Sequence, residues 1–156
     1  MAQPPTRCLV LACGNPLRGD DGVGPHLAAW AQNRFSAEPA IRILAHHQWT
    51  PELAEDIAGA ETVLFIDSSV QTPPGAVTLG PAEPAPESTI PATHHLGPTE
   101  LLALARDLYQ SQPRQVRLLT VGAGSFDLGA TFSTPVQAAL SEATALLERT
   151  ILQFLA

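Results

Sequence analysis

The chain has 156 residues, enough for one domain with its own core, and carries a net charge of −7 at neutral pH. All its basic residues are arginine. An acidic surface without lysine argues against nucleic acid and anionic membranes as partners, and it excludes a Schiff-base or phosphate-loop lysine.

After a polar start, Cys8-Leu9-Val10-Leu11-Ala12-Cys13 is a continuous apolar run ended by Gly14-Asn15-Pro16, the pattern of a central strand buried on both faces. Cys8 and Cys13 are an odd number of positions apart and so fall on opposite strand faces, and no disulfide is expected. Val10-Leu11-Ala12-Cys13 loosely mimics a lipoprotein cleavage site. The apolar lead-in is only about five residues, however, short of the ~7–15 of a signal segment. No apolar stretch approaches the ~18 residues of a membrane span, and a cytoplasmic protein is expected.

From Gly22 to about Phe35, the residues Val23, Leu27, Trp30 or Ala31, and Phe35 recur at helical spacing. Ile41 to Ala45 reads as a second strand, followed by a short helix near Thr50-Pro51-Glu52, where proline suits the first turn. Thr62 to Ile66 is a third strand, stopped by Asp67-Ser68-Ser69, and Ala76 to Leu79 a weaker fourth. With no helix before it, this fourth strand is expected to pair antiparallel or to lie at an edge. Four prolines between Pro81 and Ala92 mark a surface loop. A helix over about Thr99–Tyr109 leads to a fifth strand, Gln115–Val121, broken by Gly122-Ala123-Gly124.

The last helix opens at Thr134-Pro135, with Thr134 as N-cap, and buries Val136, Leu140, Ala143, Leu147, Ile151 and Phe154. Strands alternating with helices predict a single α/β domain over residues 1–156. Its expected form is a three-layer α/β/α fold with a largely parallel, twisted five-stranded sheet.

In such a sheet, sites form beyond the carboxyl ends of the strands, where strand order reverses. Three features point to that edge: the turn Gly14-Asn15-Pro16-Leu17-Arg18-Gly19-Asp20-Asp21-Gly22-Val23-Gly24, Asp67 after the third strand, and His94-His95. Each has a plain structural explanation. Asp20 or Asp21 can cap the helix, Asp67 can form a turn, and a histidine near a helix start is usually a surface or core residue. Together, two carboxylates and an imidazole make an open site of O, O and N donors, suited to nickel or zinc and too nitrogen-rich for calcium. Two aspartates can also serve acid–base hydrolysis, their mutual repulsion splitting their pKa values. The glycines do not form a dinucleotide fingerprint, and neither H-E-x-x-H nor G-x-S-x-G occurs. Cys13, at a strand end, reads as small buried filler rather than a nucleophile.

The Gly14–Gly24 turn, the strand ending in Asp67, and Thr93-His94-His95-Leu96-Gly97 with Glu100-Leu101-Leu102 resemble the nickel–iron hydrogenase maturation endopeptidases. The resemblance extends through Val121-Gly122, Leu128-Gly129 and Ser133-Thr134-Pro135-Val136. It implies a twisted sheet between helices and a protease that removes a C-terminal extension from a hydrogenase large-subunit precursor once nickel is in place. It places the metal-contacting trio on Asp21, Asp67 and His94, with His95 adjacent, and implies that the nickel belongs to the substrate.

On this reading Asp21, Asp67 and His94 complete the coordination of the substrate's nickel, and a carboxylate, with Asp20 a further catalytic candidate, or a metal-polarised water drives hydrolysis. The expected partner is the precursor, and the chain is expected to act as a monomer. The alternative from another class is a nickel-binding checkpoint or chaperone that uses the trio without cutting. A small-molecule hydrolase or phosphorylase ranks last, since only Arg18 would meet a phosphate. Pro81–Ala92 and His46-His47-Gln48-Trp49 are read as flanking the cleft, as substrate-selecting surfaces or as plain loop and core.

Overall fold

The apolar run at the start of the chain becomes strand β1, Thr6–Cys13, in the computed structural model, which describes residues 5–86 and 96–156. His94 and His95 lie outside the described residues. Cys8, Val10 and Ala12 face one core and Leu9 and Leu11 the other, so every side chain of this stretch is shielded. Both faces of β1 are apolar because both are covered, as a parallel sheet between helices requires.

Four further strands complete a sheet of order β2-β1-β3-β5-β4: β2 Ile41–His46, β3 Ala60–Ser69, β4 Val77–Pro81 and β5 Gln115–Gly122. Strands β2, β1, β3 and β5 run parallel, while β4 pairs antiparallel with β5 at the edge. The final Pro81 of β4 is tolerated because an edge strand need not donate on its open side.

Helices α1 (Val23–Arg34) and α4 (Thr134–Leu155) cover one face, and α2 (Leu53–Ala58) and α3 (Pro98–Tyr109) the other. The result is a three-layer α/β/α fold with a largely parallel sheet. Each fully buried Leu, Ile or Phe in the two cores contributes roughly 1.5–3 kcal/mol, and these side chains outweigh every surface ion pair. The described ion pairs, such as Arg34–Glu148 and Arg42–Asp56, are surface contacts with solvent access and are worth about 0–1 kcal/mol each.

Several details differ from the sequence reading. β3 runs on through Asp67 to Ser69, because Asp67, Ser68 and Ser69 pair with Thr120, Val121 and Gly122 of β5. Asp67 is therefore a strand residue rather than the turn after it. The N-cap of α4 is Ser133, one residue before Thr134, and its hydroxyl donates to a distant carboxylate instead of accepting from its own helix. In α1 it is Ala31 that is buried, while Trp30 packs half-buried against the same core.

Strand order reverses between β1 and β3, since β1 leads to β2 on one side and β2 crosses to β3 on the other. Two glycines let the chain turn tightly at this point. A Cβ on Gly24 would come within 2.4 Å of the Cys13 carbonyl oxygen, and one on Gly14 within 2.0 Å of the Asp21 carbonyl oxygen. With φ at +151°, Gly14 also takes a backbone conformation that other residues rarely adopt. The close approach seats the turn Gly19–Gly22 directly above the end of β3.

Candidate active site

The two adjacent aspartates of that turn take different paths. Asp20 is fully buried. Its Oδ2 accepts hydrogen bonds from the Gly124 N–H (2.8 Å), the Ser125 N–H (3.1 Å) and the Ser133 hydroxyl (2.7 Å), and its Oδ1 accepts one from the Ser133 N–H (2.7 Å). Burial works to raise its pKa, but the hydrogen bonds from Ser133, Gly124 and Ser125 prevail, and the carboxyl is held below its usual range.

Four hydrogen bonds hold this carboxylate within the fold. Asp20, a catalytic candidate by sequence, thus sits away from the side chains that line the cleft. Nor does Asp20 or Asp21 cap α1, whose N-cap is Gly22 without a side-chain bond. Asp20 instead ties the turn to the residues just ahead of α4, where a negative charge is favoured at a helix N-terminus. The backbone continues this tie, with Asp20 N–H donating to the Ser125 carbonyl (2.9 Å) and Gly129 N–H to the Leu17 carbonyl (2.7 Å).

Asp21 faces a cleft of about 630 Å³ whose lining also includes Asp67, Ser68, Cys13, Trp49 and Phe126. Its Oδ2 accepts the Asn15 N–H (2.8 Å) and its Oδ1 the Ser68 hydroxyl (3.2 Å). Asp67 approaches from the other face of the sheet. Side chains alternate along β3, and Asp67 shares the parity of Val63 and Phe65, which lie in the α2–α3 core. Ser68 shares the parity of Leu64 and Ile66, in the α1–α4 core. Asp21 and Asp67 thus straddle the sheet edge at the point where strand order reverses.

The Ser68 N–H donates to Asp67 Oδ1 (2.8 Å), and the Trp49 indole N–H donates to the same carboxylate. Trp49 is itself braced edge-on against Phe65, with ring centroids 5.5 Å apart. Burial pushes the Asp67 pKa up to about 6, the hydrogen bonds from Ser68 and Trp49 oppose this, and the nearby Asp21 carboxylate adds to it.

This shift has a measurable consequence for stability. The unfolded carboxyl titrates near ~3.9, so the folded chain holds the Asp67 proton more tightly. Ionisation therefore costs stability progressively as pH rises from the unfolded value to about 6, and the full cost remains above it. Asp67→Asn removes that cost. The variant is expected to be about 1–3 kcal/mol more stable than the parent near pH 7 and no more stable near pH 4. Thermal melts at the two pH values check this; a gain that is the same at both, or a loss at pH 7, contradicts it.

Cys13 lines the same cleft, with its thiol donating to the His47 carbonyl (3.6 Å). Burial and then the charges of Asp67 and Asp21 push this thiol up to about 12, while a Trp49 backbone hydrogen bond pulls slightly against them. The reactive form of cysteine is the thiolate, so Cys13 stays a neutral wall residue.

The His46–Trp49 segment does border the cleft, since His47, Gln48 and Trp49 all line it. The apolar wall residues Val70 and Phe126 carry no sequence signal of a site, because they meet Leu96 at the cleft from separate loops. Among the described residues no three His, Cys, Asp or Glu side chains come together to hold a metal ion. Asp21 and Asp67 are brought to one cleft, and the third expected ligand, His94, falls outside the described residues. Leu96, two positions after it in sequence, lines the cleft.

No protein-family model and no curated protein sequence matches the chain. Solved structures do. The hydrogenase maturating endopeptidase HybD from E. coli is similar with a TM-score of 0.73 and 21% identity, over 94% of this chain and 93% of that one. A hydrogenase 2 maturation peptidase from a Thaumarchaeota archaeon gives 0.63 at 25% identity, over 93% and 97%. The NiFe hydrogenase maturation protease HycI from Thermococcus kodakarensis gives 0.66 at 21% identity, over 92% and 90%. Over nine-tenths of its length, then, the chain has the fold of solved hydrogenase maturation proteases.

Proposed function

We propose that this chain is an endopeptidase of hydrogenase maturation, removing the C-terminal extension of a nickel-loaded large-subunit precursor of a nickel–iron hydrogenase. The observation that carries the reading is the pair Asp21, on the turn after β1, and Asp67, on β3, which meet at the reversal of strand order with a cleft of about 630 Å³ before them. The shared fold and the motif order Gly14–Gly24, Asp67, His94 support the same conclusion.

The nickel is part of the substrate. Asp21, Asp67 and His94 contact it and so hold the adjacent peptide bond in the cleft, where proximity supplies much of the rate and selectivity. Hydrolysis consumes one water: its oxygen attacks the scissile carbonyl, its proton passes to a carboxylate, and the departing amine takes a proton as the C–N bond breaks. A carboxyl with a pKa of about 6, as at Asp67, is suited to receive that proton near neutral pH. Asp67 can serve as ligand or base only when ionised, so processing is expected to fall as pH drops through about 6.

The reading is tested by incubating purified large-subunit precursor with the chain and sequencing the precursor's C-terminus. A new, single C-terminus supports it. An intact C-terminus on a precursor that binds the chain favours the non-cutting nickel checkpoint.

A further inference from the structure

We propose that Ser68 is a positioning residue that fixes the two cleft carboxylates relative to each other, so that both meet one centre on the substrate. This inference rests on the processing activity proposed above. Among the described residues, Ser68 is the one seen to hydrogen-bond both acids, its hydroxyl reaching Asp21 Oδ1 (3.2 Å) and its N–H reaching Asp67 Oδ1 (2.8 Å).

The geometry explains why such a tie is needed. Asp21 comes from the α1 side of the sheet and Asp67 from the α2–α3 side, and they share no covalent path shorter than the chain from β1 to β3. Two carboxylates repel at short range, and each alone would relax away from the other about its own χ1 and χ2. Ser68 sits between them at the end of β3, itself pinned by pairing with Val121 of β5. A strand places its side chain on one face while its N–H lies along the sheet edge, so one residue can grip acids arriving from both sides.

The remaining holds are separate. Of the two acids, Asn15 holds Asp21 and Trp49 holds Asp67, so neither sets the spacing of the pair. The backbone grip on Asp67 survives any substitution at position 68 but proline, whereas the grip on Asp21 depends on the hydroxyl.

The test compares Ser68→Ala, Ser68→Thr and Ser68→Val in single-turnover processing of nickel-loaded precursor, with crystal structures of the variants. Ser68→Ala is expected to lower kcat on the order of tenfold, the effect of one hydrogen bond to a charged group, with KM unchanged within about twofold. Ser68→Thr, which keeps a hydroxyl, should restore most of the rate, and Ser68→Val, of the same shape without it, should match Ser68→Ala. The structures should show the Asp21 carboxylate rotated away in Ala and Val and retained in Thr.

Equal losses in Thr and Val, a loss confined to KM, or an unchanged rate in Ser68→Ala overturns the proposal. So does an Asp21 carboxylate that stays in place without the hydroxyl, whatever the activity. If the unmodified chain leaves the precursor intact, the proposed function fails, and the crystal structures still decide whether Ser68 positions Asp21.

Discussion

Asp21→Asn is expected to reduce processing of the nickel-loaded precursor by about 10²–10⁴-fold, the range for losing a positioned acid–base or ligand group, while the chain stays folded. Asparagine keeps the shape of aspartate. Its amide oxygen can accept the Asn15 N–H and its amide nitrogen can donate to the Ser68 oxygen, so both hydrogen bonds made by Asp21 persist in altered form. What disappears is the negative charge and the oxygen lone pairs aimed into the cleft. A rate measurement paired with a thermal melt separates the two roles. Lost processing with a melting temperature close to the parent's places Asp21 in the chemistry. Retained processing, or a collapsed melt, removes it from that role.

The neighbouring position should behave in the opposite manner. Asp20→Ala is expected to destabilise the fold by about 2–4 kcal/mol, because it leaves the partly shielded N–H groups of Gly124, Ser125 and Ser133 without their acceptor. The loss is large because the carboxylate is the joint between the Gly19–Gly22 turn and the start of α4, and nothing else in the contact replaces it.

The pH dependence follows from the lowered pKa. Stability from Asp20 is fully present above the unfolded carboxyl value near ~4 and is lost as pH falls through the depressed folded value. Denaturant melts of parent and variant at pH 7 and pH 3 measure both effects. A difference well under 1 kcal/mol at pH 7 contradicts the structural role, as does a difference that grows on acidification.

The contrast between Asp20 and Asp21 marks the limit of what the sequence conveys. In a 3-10 turn successive side chains point about 120° apart, so one aspartate must face the cleft and the other the interior. Nothing local says which. The choice is made by Ser133, more than a hundred positions away, whose N–H and hydroxyl claim Asp20. In the fold Asp21 lines the cleft and Asp20 is held in the interior.

Other features were legible because their cause is local. The apolar run Cys8–Cys13 could only be a strand covered on both sides, and the fourth strand, lacking a preceding helix, does lie antiparallel at the edge. The order of elements led to the α/β/α layers, and the turn after β1 and the end of β3 do meet at the strand-order reversal. The extension of β3 through Asp67–Ser69 was hidden, because Asp-Ser-Ser has a turn composition and becomes strand only by pairing with Thr120–Gly122. The place of Val70 and Phe126 in the apolar wall and the grip of Trp49 on Asp67 are products of tertiary packing, with no pattern along the chain.

The most direct test of the central claim is the intact mass of a large-subunit precursor after incubation with this chain, in nickel-loaded and nickel-free forms. The proposed function, in which the two carboxylates at the sheet edge meet the substrate's nickel, predicts loss of one C-terminal peptide from the loaded form and an unchanged mass for the nickel-free form. Equal cleavage of both forms would contradict recognition of the metal by Asp21 and Asp67, and an unchanged mass for both would contradict the protease.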